Sequence, residues 1–222
     1  MSLSITSKDQ IFILGRDQVT ELLDTDNNGT FDFYKCASDA FIQTLHTRDF
    51  STSLIVEPSG DFVVCKGGIR KIPVTNKDEN SLHRGAIIRL PADGGDAVVL
   101  ADGLRIPFIG RDQKGQIYAS DQQGRFTPST PIYKLDNTIP AFGFDPTNHR
   151  KLAHKPPALW FPYASNRSAA AFTILSKRKF ADFPDQFTNL SWNGRLFALQ
   201  GMNQESPFSV RLPIQLDYPV LN

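Results

Sequence analysis

The sequence predicts an all-β protein, a β-propeller in the form of a partial wheel of about four to five blades. Two observations predict it. One hairpin template recurs along the chain, and no segment alternates strand-like with helix-like patterning.

The template is an apolar strand, a polar turn closed by glycine, and a second apolar strand. Leu54-Ile55-Val56, Pro58-Ser59-Gly60 and Phe62-Val63-Val64 form one copy. Phe108-Ile109, Gln113-Lys114-Gly115 and Ile117-Tyr118-Ala119 form the second. Phe187, Leu190, Trp192-Asn193-Gly194 and Leu196-Phe197-Ala198-Leu199 form the third. Lys8 to Gly15 reads as the second half of an earlier copy, with Asp9 at the glycine position. Short runs of β-branched and aromatic residues suit strands buried on both faces. A glycine closing the turn supplies the positive φ that tight hairpins need. The turn positions 9, 60, 115 and 194 lie roughly 50, 55 and 80 residues apart, against about 40–50 for a propeller blade. The last gap therefore holds one blade with an insertion, or nearly two short blades.

The chain reads as one domain over residues 1–222, with a proline-rich insertion at about 126–163 that is mostly loop. Phe41, Ile42 and Leu45 have helical spacing after Ser38 and Asp39, enough for one short helix. The run at 217–222 is strand-like with no terminating turn, which reads as part of a larger wheel. The net charge of +1 excludes bulk attraction to nucleic acid or anionic membrane. The longest early apolar run, Ile11 to Leu14, is too short for a signal peptide or a span, so no membrane insertion is expected. Cys36 and Cys65 are either two separate buried thiols or one disulfide.

The sharpest local motif is Asp24-Thr25-Asp26-Asn27-Asn28-Gly29-Thr30-Phe31-Asp32. Oxygen side chains at alternate positions wrap around a hard cation, and a glycine allows the sharp turn between them. Asp24, Asp26, Asn28 and Asp32 offer side-chain oxygens and Thr30 a carbonyl, making calcium the candidate ion. Position twelve holds Lys35 where an EF-hand has Glu. The alternative is an Asx-rich turn with no ion. Dinucleotide, P-loop, zinc-protease and serine-hydrolase motifs are absent. His46, His83, His149 and His154 show no metal-ligand spacing.

Gly103-Leu104-Arg105-Ile106-Pro107, followed by Gly115-Gln116-Ile117-Tyr118-Ala119-Ser120-Asp121, resembles a signature of glucose/sorbosone dehydrogenase-type propellers. The surrounding segments are most similar to the propeller domain of large "membrane-bound dehydrogenase"-like proteins of planctomycetes and their relatives. Those segments are 13–20, the Asp-rich loop, 120–124, 128–133 and 160–168. The resemblance implies a six-bladed wheel, a periplasmic or extracellular location, and further domains in a longer parent protein. It implies pyrroloquinoline quinone over the central channel, a sugar or polyol substrate, and a histidine base. Carried onto this chain, Arg105, His46 and Asp49 are the catalytic candidates. Arg105, Asp121, Asn166 and Arg167 are the cofactor-binding candidates. Ile106 stands where the signature has asparagine.

Three functions follow. The first is a quinone-dependent sugar or alcohol dehydrogenase. The second is a non-catalytic carbohydrate- or protein-binding scaffold, with Trp160, Phe161 and Tyr163 as the docking surface. The third is a calcium-dependent lactonase-type hydrolase, for which Glu57 is the plausible ligand among four glutamates.

Overall fold

The structure is a computed structural model. It describes residues 2–41, 49–68, 83–122, 130–136, 138–143, 152–175, 185–202 and 204–215. The described residues form four antiparallel sheets of four strands each. Sheet 1 holds β1 (Ser2–Ile5), β2 (Ile11–Leu14), β3 (Val19–Leu23) and β4 (Phe33–Ser38). Sheet 2 holds β5 (Ser51–Val56), β6 (Phe62–Lys66), β7 (Ala86–Leu90) and β8 (Val98–Ala101). Sheet 3 holds β9 (Phe108–Arg111), β10 (Ile117–Ser120), β11 (Thr130–Lys134) and β12 (Leu159–Phe161). Sheet 4 holds β13 (Ala169–Leu175), β14 (Gln186–Ser191), β15 (Arg195–Gln200) and β16 (Phe208–Gln215).

Within each sheet every strand pairs with the next in sequence. The first strands line one another: β1 packs on β5, β5 on β9, and β9 on β13. The fold is thus an open arc of propeller blades, as the sequence predicts. Leu3 and Ile5 of β1 remain 58% and 61% exposed, so the outer face of sheet 1 is uncovered.

Strand alternation builds the core. Phe62 and Val64 of β6 join Phe12, Leu14, Val19 and Ile88 in the seam between sheets 1 and 2. Val63 and Cys65 of the same strand turn the other way, onto Ile87, Ile117 and Ala119 between sheets 2 and 3. Tyr118 of β10 then meets Ile132, Phe161, Phe187 and Phe197 between sheets 3 and 4. Each fully buried aliphatic or aromatic side chain contributes roughly 1.5–3 kcal/mol.

The hairpins at Gly60 and Gly115 join first to second strands, both glycines having positive φ. Asp9 takes the same conformation (φ 58°) in a complete β1–β2 hairpin. The third template sits elsewhere than its copies: the turn at 192–194 joins β14 to β15, the second and third strands. The proline-rich stretch contains β11 and β12. Pro131 is tolerated in β11 because pairing with β10 ends at Ile132 and only Trp160 faces it. Cys36 is exposed and Cys65 buried, and both are free, so neither the disulfide nor the pair of buried thiols describes them. Phe41 is buried in the first seam. Ile42 and Leu45 of the expected helix, and the run at 217–222, lie outside the described residues.

Gly110 of β9 is where the first strands of sheets 3 and 4 come closest. A Cβ there would overlap the side chain of Phe172. Gly110→Ala is expected to lower stability by roughly 1–3 kcal/mol through overpacking. Urea denaturation checks this as a lower midpoint with an unchanged slope.

Candidate functional site

Topology gives the arc two ends. At the entry end each first strand begins; the links between sheets and the ends of the second strands lie there. At the turn end lie the hairpins of Gly60 and Gly115. The predicted residues Asp49, Arg105, Asp121, Asn166 and Arg167 all fall at the entry end. The Asp-rich loop joins β3 to β4 and falls at the turn end. The fold therefore separates the proposed ion loop from the proposed cofactor residues. His46 lies outside the described residues.

Asp49 precedes β5 and is fully buried. Its carboxylate accepts two hydrogen bonds from Arg84, Nε to Oδ2 at 2.6 Å and Nη2 to Oδ1 at 3.0 Å. Both side chains are completely enclosed. Lys66, also fully buried, donates to the Arg16 carbonyl at 3.4 Å and stands 5.2 Å from the Phe41 ring centroid. Burial pulls the Lys66 ammonium down from 10.5 to about 8, against the opposing pull of the Asp49 charge. Removing one partner of a buried ion pair strands the other charge, at a cost of about 3–5 kcal/mol. In this arrangement Asp49 holds Arg84.

Asp121 follows β10 and is likewise engaged. Oδ2 accepts the Arg105 amide at 2.8 Å. Oδ1 accepts the amides of Ile106 at 2.7 Å and Gln122 at 2.9 Å. The carboxylate clamps the link from sheet 2 to sheet 3 onto the end of β10. The Arg105 carbonyl accepts the Gly68 amide at 2.8 Å, and its side chain is half-buried. Burial, reinforced by the Asp121 charge, pushes the Cys65 thiol and the Tyr133 hydroxyl up.

Asn166 and Arg167 are neighbours that point apart. Asn166 is completely buried, its Nδ2 donating to Asn189 Oδ1 at 3.0 Å. Arg167 is exposed, with its guanidinium 5.0 Å from the Tyr163 ring centroid. The fold thus joins Asp121 to the Arg105 backbone. It encloses Asp49 with Arg84, and Asn166 with Asn189. Ile106 brings no polar side chain, and the Asp121 oxygens already hold amides. Among the described residues, Asp49, Asp121 and Asn166 are thus each engaged by other groups of the protein.

The Asp-rich loop closes on itself. Asp24 accepts the amides of Asn28 and Gly29, and Asp26 accepts both the Asn28 amide and its side-chain Nδ2. Asn28 Oδ1 accepts the Thr30 amide at 2.8 Å. Asp32 accepts the Thr25 amide and hydroxyl, which hold its carboxyl below the usual carboxylate range. Among the described residues no three His, Cys, Asp or Glu side chains gather to hold a metal. In this conformation the loop's carboxylates and the Asn28 side-chain oxygen hold the loop's own donors. Glu57, the lactonase candidate, pairs with Arg89 at 2.8 Å and Arg111 at 3.8 Å at the turn end.

Sequence reasoning offered Trp160, Phe161 and Tyr163 as a docking surface and missed Trp192 at the same entry end. Trp192 is 72% exposed, and its amide donates to the Ser168 carbonyl at 2.7 Å, which ties its backbone to the residue after Arg167. Arg195 donates to the carbonyls of Ala164 and Ser165 and anchors the turn carrying Tyr163. Trp160 and Tyr163 are exposed, whereas Phe161 is buried in the core. The signal for Trp192 was present as a tryptophan in a glycine-closed turn, where no core needs it.

No family model and no curated protein sequence matches the chain. Solved structures do. The PQQ-bound aldose sugar dehydrogenase of Streptomyces coelicolor superposes with a TM-score of 0.60 at 11% identity, covering 90% of this chain and 61% of that one. An oxidoreductase of Thermus thermophilus, described as a glucose dehydrogenase, gives 0.60 at 13%, covering 95% and 81%. The calcium structure of a Trichoderma reesei enzyme of carbohydrate-active family AA12 gives 0.61 at 12%, covering 99% and 68%. The chain spans less than two thirds of the Streptomyces enzyme. At these identities the likeness establishes the fold, a propeller like those of quinone-dependent sugar dehydrogenases.

Two predictions follow from the buried charges and the loop. Lys66 is protonated in folded and unfolded chains below pH 8, and in neither above about 10.5. Between these values the unfolded chain alone keeps the proton, so this group makes stability rise with pH. Cys65 acts oppositely, because its thiol ionises only when unfolded, from about pH 8.5. The difference in melting temperature between wild type and Lys66→Met isolates the lysine. It is expected to be constant below pH 8 and to move in favour of wild type from there towards pH 10. Separately, the Asp-rich loop completes its hydrogen bonds without an ion. Calcium added to the apo protein is expected to leave its melting temperature unchanged in a thermal-shift titration.

Proposed function

We propose that the chain is a saccharide-binding propeller of the sugar-dehydrogenase type that binds without oxidising. The observation that carries this reading is the exposed aromatic surface of Tyr163, Trp192 and the stacked Arg167 at the entry end. A flat ring held at the surface stacks on the C–H face of a sugar, and an adjacent guanidinium donates to its hydroxyls. Exposed apolar groups clustered in this way mark interaction sites. Trp160 is exposed on the edge strand β12. The two carboxylates offered for the site, Asp49 and Asp121, already hold an arginine and three amides. A general base must reach the proton it abstracts, and these two are otherwise engaged.

A second reading is a quinone-dependent sugar or alcohol dehydrogenase. It is favoured by Arg105 at the entry end, whose planar fork suits the carboxylates of a quinone. It would use Arg105 with His46 or Asp49, and Asp121, Asn166 and Arg167 around the cofactor. Under either reading the protein acts in the periplasm or outside the cell. The likeness to planctomycete propellers, with further domains in a longer parent, belongs to the same proposal.

Glycan-array screening followed by calorimetry tests the binding. Trp192→Ala is expected to weaken the best ligand about tenfold, or about 1.4 kcal/mol, with the fold intact by circular dichroism. Absence of any glycan ligand overturns the proposal. Dye-linked sugar oxidation after addition of pyrroloquinoline quinone and calcium is expected at background, and turnover would establish the second reading.

A further inference from the structure

We propose that the seam between sheets 3 and 4 encloses a hydration site, with about one or two water molecules held among Ser120, Asn166 and Ser191. All three residues are completely buried. Ser120 Oγ, Asn166 Oδ1 and Ser191 Oγ have no hydrogen-bond partner among the described residues. A buried polar atom left without a partner costs about 1–3 kcal/mol, so three together call for an occupant.

Strand register places Ser120 and Ser191 on the faces of β10 and β14 that meet in the seam, and Asn189 of β14 ties Asn166 to it. On β14, Phe187 packs into the seam, and Asn189 and Ser191 follow it on the same face. On β10, Tyr118 packs into the seam from the other side, and Ser120 follows it. Thr130 of β11 is the diagonal neighbour of Ser120, because Ser120 pairs with Ile132. The Thr130 hydroxyl donates to the Asn166 carbonyl at 2.8 Å, bringing the two sides together.

The hydrogen-bond directions state what the occupant must do. β13 shifts register between Ala169 and Ala171, and the Ala171 carbonyl accepts Asn189 Nδ2 at 3.0 Å. A carbonyl only accepts, so Asn189 must turn its nitrogen there and its oxygen towards Asn166. Asn166 must then give its nitrogen to Asn189, at 3.0 Å, which leaves its own oxygen over. The chain of amides ends on an acceptor that needs a donor. The two serine hydroxyls each offer a proton and each have room to accept one. Water donates to the first and accepts from the others.

The site shares the entry end with the aromatic surface, since Arg167 follows Asn166 and Trp192 follows Ser191 in the chain. Its existence does not depend on sugar binding there.

A high-resolution crystal structure of the full chain is expected to show ordered water bonded to Asn166 Oδ1 and to at least one of the two serine hydroxyls. A dry seam, or a direct serine–asparagine bond closing it, overturns the proposal. Ser120→Ala and Ser191→Ala provide an independent readout whose sign decides. If water links the hydroxyls to Asn166, each variant loses a bridging bond, and its melting temperature falls by about 2–4 °C. If the hydroxyls are dry, alanine removes an unsatisfied group, and the melting temperature stays or rises, which again overturns the site.

Discussion

The two-residue period of the β-strand is the constraint on which this arc depends. In β6 and β10 successive side chains enter different seams, so each strand belongs to two cores at once. A slip of one residue would exchange the contents of both seams. That is why these strands read as unbroken apolar runs instead of an alternation of apolar and polar residues. It is also why sheets meet closely enough for Gly110 to face Phe172 with no Cβ between them.

The same packing explains the chemistry of the entry end. Where the seams run out, the strands give way to Asp49, Lys66, Arg84, Asp102 and Asp121, all buried. Charges placed there cannot be left to solvent, and those described serve the architecture. Asp121 ties one inter-sheet link to the sheet beyond it. Asp49 and Arg84 join segments from either side of sheet 2's second strand. Arg167, on one of the same links, instead faces outward over the Tyr163 ring.

The architecture was largely legible in the sequence, and the site much less so. Gly60 and Gly115 announced their hairpins because a glycine at the close of a polar turn between two apolar runs is what a positive φ there requires. The turn at 192–194 misled as to place, since the same chemistry closes a turn between any two antiparallel strands. The Asp-rich loop was ambiguous for a related reason. Aspartates two residues apart suit an ion and the loop's own amides alike, and residue names do not carry the backbone path between them. The Asp49–Arg84 pair left no mark, because its members lie 35 residues apart and neither belongs to a motif. Arg105 matched a signature, yet the role of Asp121 in holding that segment by its amides depends on main-chain geometry that residue names do not carry.

The two thiols differ in a way that experimenters can exploit. Cys36 stands exposed on β4, while Cys65 is sealed in a seam and its ionisation suppressed by burial. A maleimide dye offered to the native protein therefore attaches at one place without any engineering. The moment a second label becomes possible marks the parting of sheets 2 and 3, so the molecule carries a built-in chemical clock for its own opening.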